Sequence, residues 1–233
     1  MDPTKYRQFF QSKLELARFL VLERGDEAEP DAEILLCCAI SGLASILWQG
    51  KHIDKQRFVQ LLVEFSPPKA NLQKISTPVL ASKLKDDEDV STANELSNKY
   101  YPHQPKEILD PVKVDQDESV VSVAFKSLGL KTIRRASYAS IIYKDLRCAL
   151  IHEYRNSPYI APFNMFEIPK KPYYVNMTFE DGRVRHLLYI PFSYLADILD
   201  STTDALFSYW SESSEWEKPQ PTSWWIDGKQ PIL

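Results

Sequence analysis

The chain has 233 residues, 44% hydrophobic and 26% charged, with a formal net charge of −4. It is long enough to bury a sizeable core and has the make-up of an ordinary globular protein. The acidic balance argues against a protein that coats nucleic acid non-specifically, while leaving room for a local basic site.

In chain order, Tyr6–Arg24 is an amphipathic helical pattern. Phe9, Phe10, Leu14, Ala17, Leu20 and Val21 keep the helical period and Gly25 closes it. The acidic, turn-like Gly25–Pro30 follows. A second helix, Ala32–Trp48, is apolar almost all round and so should be central in a bundle. Its apolar run, Ile34–Trp48, is shorter than the roughly 20 residues a bilayer span needs. It also lacks a basic segment before it, so neither a signal peptide nor a membrane anchor is expected. Three cysteines, two of them adjacent (Cys37 and Cys38), make no disulfide framework. A reducing compartment, the cytoplasm, is expected. Asp54 opens a third helix, Lys55–Phe65, which Ser66-Pro67-Pro68 terminates.

Residues 67–130 read as a partly ordered insertion over the bundle. Thr77–Lys85 fits a short helix with Pro78 in its first turn, and Val120–Ser127 fits either a short strand or a helix. The longest polar-to-apolar helical pattern is Lys131–Pro158, with Thr132 as N-cap and Ser157-Pro158 as stop signal. Ala139, Ile142, Tyr143, Leu146, Ala149 and Leu150 form its apolar face. Arg147 and His152 lie about 140° apart around the axis and flank a mixed stripe containing Cys148 and Ile151.

Beyond it, Tyr173–Phe179 and Val184–Ile190 predict a β-hairpin about a turn at Glu180-Asp181-Gly182-Arg183. Pro191 then precedes a final helix, Phe192–Ser211. Residues 213–233 are a Trp/Pro-rich tail, expected to pack on its own body. The fold class is therefore mainly α: a bundle of four to five long helices carrying a C-terminal β-hairpin. Residues 1–66 and 131–157 supply the bundle, and residues 158–212 the hairpin and the last bundle helix.

The chemistry concentrates in the 131–158 pattern. From Lys126 to Arg155 seven cations stand against two carboxylates, a local excess of five in an acidic chain. An arginine presents a planar, always-charged fork matched to phosphate oxygens, and a histidine can exchange a proton near neutrality. Arg147 and His152 together thus suit phosphodiester cleavage without a metal, with Lys144, Arg155, Asn156, Arg134 and Arg135 as RNA or phosphate contacts. The bland alternative pairs Arg147 with Asp145 or Glu153 and leaves His152 interacting with the helix dipole. His52, His103 and His186 have no metal-ligand spacing and the cysteines form no C-x-x-C, so neither a metal site nor a cofactor is expected.

The segment DLRCALIHEYRN, with Arg-x4-His inside LRxxLIHE late in a helix, resembles the signature of the HEPN (higher eukaryotes and prokaryotes nucleotide-binding) superfamily. The resemblance implies a helical, HEPN-like bundle and a metal-independent endoribonuclease. It further implies a homodimer whose 131–156 helices face each other, and products ending in a 2′,3′-cyclic phosphate. A toxin or defence effector is the role expected, with an antitoxin protein as a partner and no membrane. The residue after the arginine is commonly polar in active members, and here it is Cys148. The alternative reading is a non-catalytic module binding a nucleotide, RNA or a partner protein.

Overall fold

The computed structural model describes residues 3–102, 108–153, 155, 157–162, 170–178, 184–213, 218, 220–221 and 223–227. The protein is mainly helical, with one two-stranded antiparallel sheet among the described residues. Helix α1 spans Pro3–Arg24 and stops where Gly25 takes a left-handed φ of 68°, which a side chain would disfavour. Helix α2 (Glu29–Leu47) lies between α1, α3 (Asp54–Phe65) and α11 (Phe192–Glu212). Leu36, Ile40, Leu43 and Leu47 are fully buried along it. Each such leucine or isoleucine contributes roughly 1.5–3 kcal/mol relative to exposure. An 18-residue window within residues 4–47 has a mean hydropathy of 1.6, apolar enough by composition to cross a membrane, and half of that window is buried. Asp54 does not cap α3. It lies inside the first turn and pairs with Arg57.

Residues 67–102 and 108–130, read from the sequence as an insertion over the bundle, are part of the same core. Helix α4 (Thr77–Asp86) is capped by Ser76, whose Oγ accepts from the Val79 N–H at 3.2 Å, and carries Pro78 in its first turn. It is followed by α5 (Val90–Tyr100), the short α6 (Pro111–Val114) and α7 (Glu118–Ala124). Ile75, Val79, Leu80, Leu96, Leu109 and Val121 join the residues of α2 and α3 in one hydrophobic cluster.

The 131–158 pattern is not a single helix. A short α8 (Leu130–Arg134) follows Gly129, so Thr132 caps nothing, and the chain turns at Arg135 and Ala136. The second helix starts at Ser137, whose Oγ accepts from the Ser140 N–H at 3.2 Å. The break has a tertiary cause. The Ser76 N–H donates to the Ala136 carbonyl, while the Tyr138 and Ala139 N–H groups donate to the carbonyls of Lys74 and Leu72. The 72–76 segment thereby satisfies donors that every helix N-terminus leaves open. From Tyr138 the run is continuous to Glu153: α9 (Tyr138–Ile141), a π turn (Ile142–Arg147) and α10 (Cys148–Glu153).

The hairpin pairs β1 (Tyr173–Thr178) with β2 (Val184–Tyr189) in the register Tyr174↔Leu188 and Asn176↔His186. Tyr174 and Leu188 enter the main core, and Val175, Leu187 and Tyr189 form a second small cluster with Ala161. The turn expected at 180–183 lies outside the described residues. In the tail, Trp224 meets Trp48 edge-on at 5.6 Å between ring centroids, and Trp225 donates its N–H to Gln60 Oε1 at 2.9 Å. These tail tryptophans pack on their own body; Trp216 lies outside the described residues.

One buried carboxylate joins these parts. Asp115 accepts from the hydroxyls of Tyr138 and Tyr174, both at 2.6 Å, and from the Thr77 N–H at 3.3 Å. Burial pushes its pKa up to about 7, against the opposing pull of both tyrosines, Lys74 and the Thr77 N–H. A carboxyl whose pKa is raised by folding stabilises the protein below the ordinary carboxylate range, and that stability is lost as pH rises through the folded value. The wild type should therefore lose up to about 4 kcal/mol relative to Asp115→Asn between about pH 4 and about pH 8. Urea denaturation of both proteins across that range measures it, and a pH-independent gap would show that Asp115 is not protonated in the fold.

Candidate functional site

The site is built on the 138–153 run where it crosses α2 and α3. In the π turn the Cys148 N–H reaches back five residues to the Tyr143 carbonyl, one more than in an α-helix. The wider turn shifts the angular phase between residues before and after it. It brings Tyr143 beneath both Arg147 and Cys148. The Arg147 guanidinium lies over the Tyr143 ring at 5.3 Å, its Nε donates to Ser41 Oγ on α2 at 3.3 Å, and its Nη1 is 3.7 Å from Cys148 Sγ. Tyr143 also packs on Phe58 of α3, with ring centroids 5.2 Å apart. Burial, first, and Cys148 beside it push the Tyr143 hydroxyl up to about 12, so it is a neutral platform for the cation.

No described carboxylate pairs with Arg147. The two candidates of the bland reading are engaged elsewhere. Glu153 pairs with Arg155, and Asp145 is buried against Lys83 at 2.5 Å and accepts from Ser157 Oγ at 3.2 Å. Lys83 also donates to the Arg135 carbonyl at 3.1 Å and stands over the Tyr159 ring at 5.1 Å. Burial lowers the Lys83 pKa, with Asp145 opposing. This ion pair fixes the π turn to α4 from the side opposite the exposed face.

That exposed face carries Lys144 and His152, with Arg147, Cys148 and Ile151 half-buried between them. No described hydrogen bond links His152 to Arg147 or to any other group. Of the expected phosphate contacts, Lys144 is free of ion pairs among the described residues. Arg155 is exposed but neutralised by Glu153, and Asn156 lies outside the described residues. Arg135 is paired with Asp87, just past the C-terminal end of α4.

Arg134 corrects the expectation outright: it is 3% exposed, gripped by both oxygens of Glu118 at 2.6 and 3.0 Å, bonded to the Trp225 carbonyl and stacked 4.6 Å from the Trp225 ring. It is a structural residue holding the tail. The local excess of five cations is therefore not presented as one surface.

Lys55, in the first turn of α3, is a cation that pattern reading passed over. It is half-buried, and its pKa is lowered by burial and by Lys131 and Lys144 nearby, with Asp227 opposing. Lys55, Lys131 and Lys144, from three segments, are thus within electrostatic reach of one another, which raises the local potential for an anion. Its only sequence signal was a lysine just after a helix-opening aspartate, which is common on solvated faces. Among the described residues no group of three His, Cys, Asp or Glu side chains is placed to hold a metal ion.

Compared with protein families, with characterised proteins and with solved structures, the chain matches none.

Removing one partner of a buried pair strands the other charge, at a cost of about 3–5 kcal/mol. Lys83→Met should lower unfolding stability by about that amount, and adding Asp145→Leu should recover most of it. Equilibrium urea unfolding of the single and double variants checks this; a single variant within about 1 kcal/mol of wild type would mean the pair is solvated.

Proposed function

We propose that the protein is a metal-independent endoribonuclease of HEPN type, a homodimer acting as a toxin or defence effector. The observation that carries this reading is Arg147. It is an arginine seated on Tyr143 and Ser41, with no described carboxylate to neutralise it, on a face shared with His152 and Lys144. A guanidinium held in this way is ready to donate to two oxygens of a phosphate, and its rotamer freedom is already spent.

The step it would support is transesterification. The ribose 2′-oxygen attacks phosphorus as one His152 takes its proton. Arg147 stabilises the charge on the non-bridging oxygens, the bond to the 5′-oxygen breaks, and a second His152 protonates that oxygen. A 2′,3′-cyclic phosphate and a 5′-hydroxyl result. Each motif face supplies a single histidine, His152, so the two proton transfers call for a second copy. The 138–153 face offers Ile151 and Cys148 as an apolar strip for a two-fold contact, with the charged groups at its margins. Cys148 favours the second reading, a binding module without catalysis. Its thiol lies against the guanidinium, at the position where active members commonly place a polar side chain.

RNA cleavage should persist in excess EDTA, leave cyclic-phosphate ends, and fall about a hundredfold in Arg147→Lys, since a point charge cannot reproduce the bidentate contact. A gel assay with end-group analysis reads all three, and full turnover of the lysine variant at unchanged melting temperature would reduce Arg147 to a generic cation. Ile151→Glu should give folded monomers without activity, because it sets two like charges across a desolvated contact. Light scattering with circular dichroism tests this, and a monomeric wild type at micromolar concentration rules the interface out.

A further inference from the structure

A cleft of about 820 Å3 opens at the N-terminal end of the 138–153 run, within the size range of small-molecule sites. Arg147 lies about 13 Å further along the helix axis, so the cleft is separate from the motif face. Its walls come from four places: the 67–74 connection, the start of α6, the residues entering β1 and the first turns of α11. Leu109, Pro111, Pro172 and Ile198 make it apolar. Ile108 and Val112 also line it and yet are 55% and 78% exposed, an unusual placement for two large aliphatic side chains.

The polar groups narrow the choice of ligand. The Tyr138 hydroxyl is committed to Asp115 at 2.6 Å, and the Tyr194 hydroxyl to the Ala70 carbonyl at 2.8 Å. Asp110 is used as a helix cap, accepting from the Val112 N–H at 2.9 Å. Among the charged groups the cations predominate. Lys69, Lys74, Lys170 and Lys171 line the cleft, and none forms an ion pair with a described residue. Against Asp110 and Asp197 they leave an excess of two positive charges in a chain whose total is −4. Lys74 is the half-buried member and lies close enough to Asp115 to act on its ionisation.

We propose that this cleft binds a small amphipathic anion: an acyl or aryl body in the apolar walls, with one carboxylate or phosphate headgroup held by the lysines. Any such ligand would rest against Tyr138, the first residue of the motif helix, whatever reaction occurs at Arg147.

The test is fluorescence titration of the full chain with anilinonaphthalene sulfonate, an aryl anion. The expected result is saturable binding at one site per chain, displaced by decanoate or decyl phosphate and not by decanol at equal concentration. The stronger competitor of the two identifies the headgroup. Reversing two exposed charges, Lys170→Glu with Lys171→Glu, should weaken displacement about tenfold with the circular dichroism spectrum unchanged. Val112→Asp, at an exposed position, should do the same if the first pair of changes disturbs folding. Decanol competing as well as decanoate would overturn the anionic assignment, and a signal that ignores all these variants would overturn the site.

Discussion

The Asp115 carboxylate is the point on which the architecture converges. Thr77 at the start of α4, Tyr138 at the start of the motif run and Tyr174 in β1 lie 38, 23 and 59 residues away in sequence, and all donate to it. Ser76, which caps α4, bonds the Tyr174 hydroxyl as well, at 2.7 Å. In a low-dielectric interior such a network is strong when complete and expensive when any member is missing, so it specifies one arrangement of the three elements. It also explains why residues 67–130 are part of the core. The segment brings both the acceptor and one of its donors, and the helix bundle alone would leave Tyr138 unpartnered.

The second constraint is the π turn. Its hydrogen bonds are less favourable than those of an α-helix, and such turns are tolerated where side chains on both sides hold them. Here Asp145 is drawn inward to Lys83 on one side, while Tyr143 is held between Phe58 and the Arg147 guanidinium on the other. The geometry of the exposed face follows. Arg147 rests on Tyr143 and reaches Ser41 because the turn is one residue wider than an α turn.

Around the motif run, several charges are paired within the fold. Arg134, Arg135 and Arg155 each meet a carboxylate, and Lys83 meets Asp145. Among the cations without an ion pair to a described residue, Lys144 lies on the motif face, and Lys69, Lys74, Lys170 and Lys171 line the cleft at its root. Cations brought together from separate segments concentrate positive potential where they outnumber the carboxylates around them, as four lysines outnumber Asp110 and Asp197 in the cleft.

Local signals were legible from the chain alone. The spacing of apolar residues marked α1, α2, α3 and α11 to within a few residues, because burial on one side of a helix imposes its period on the sequence. The β-formers on either side of residues 180–183 marked the hairpin strands for the same reason at a period of two. Arg147 and His152 were singled out by their pattern, and the structure places both on an accessible face. What spacing could not decide was pairing. Thr132 and Ser137 are equally good caps in isolation, and the choice fell to Ser137 because the carbonyls of Leu72 and Lys74 arrive there. Arg134 looks like its basic neighbours until Glu118 and Trp225 enclose it, and Lys55 looks solvated until folding half-buries it within electrostatic reach of Lys131 and Lys144. Periodicity is a property of consecutive residues and can be read from them. Whether a charge is buried, neutralised or left available depends on residues tens of positions away, and only tertiary structure brings those together.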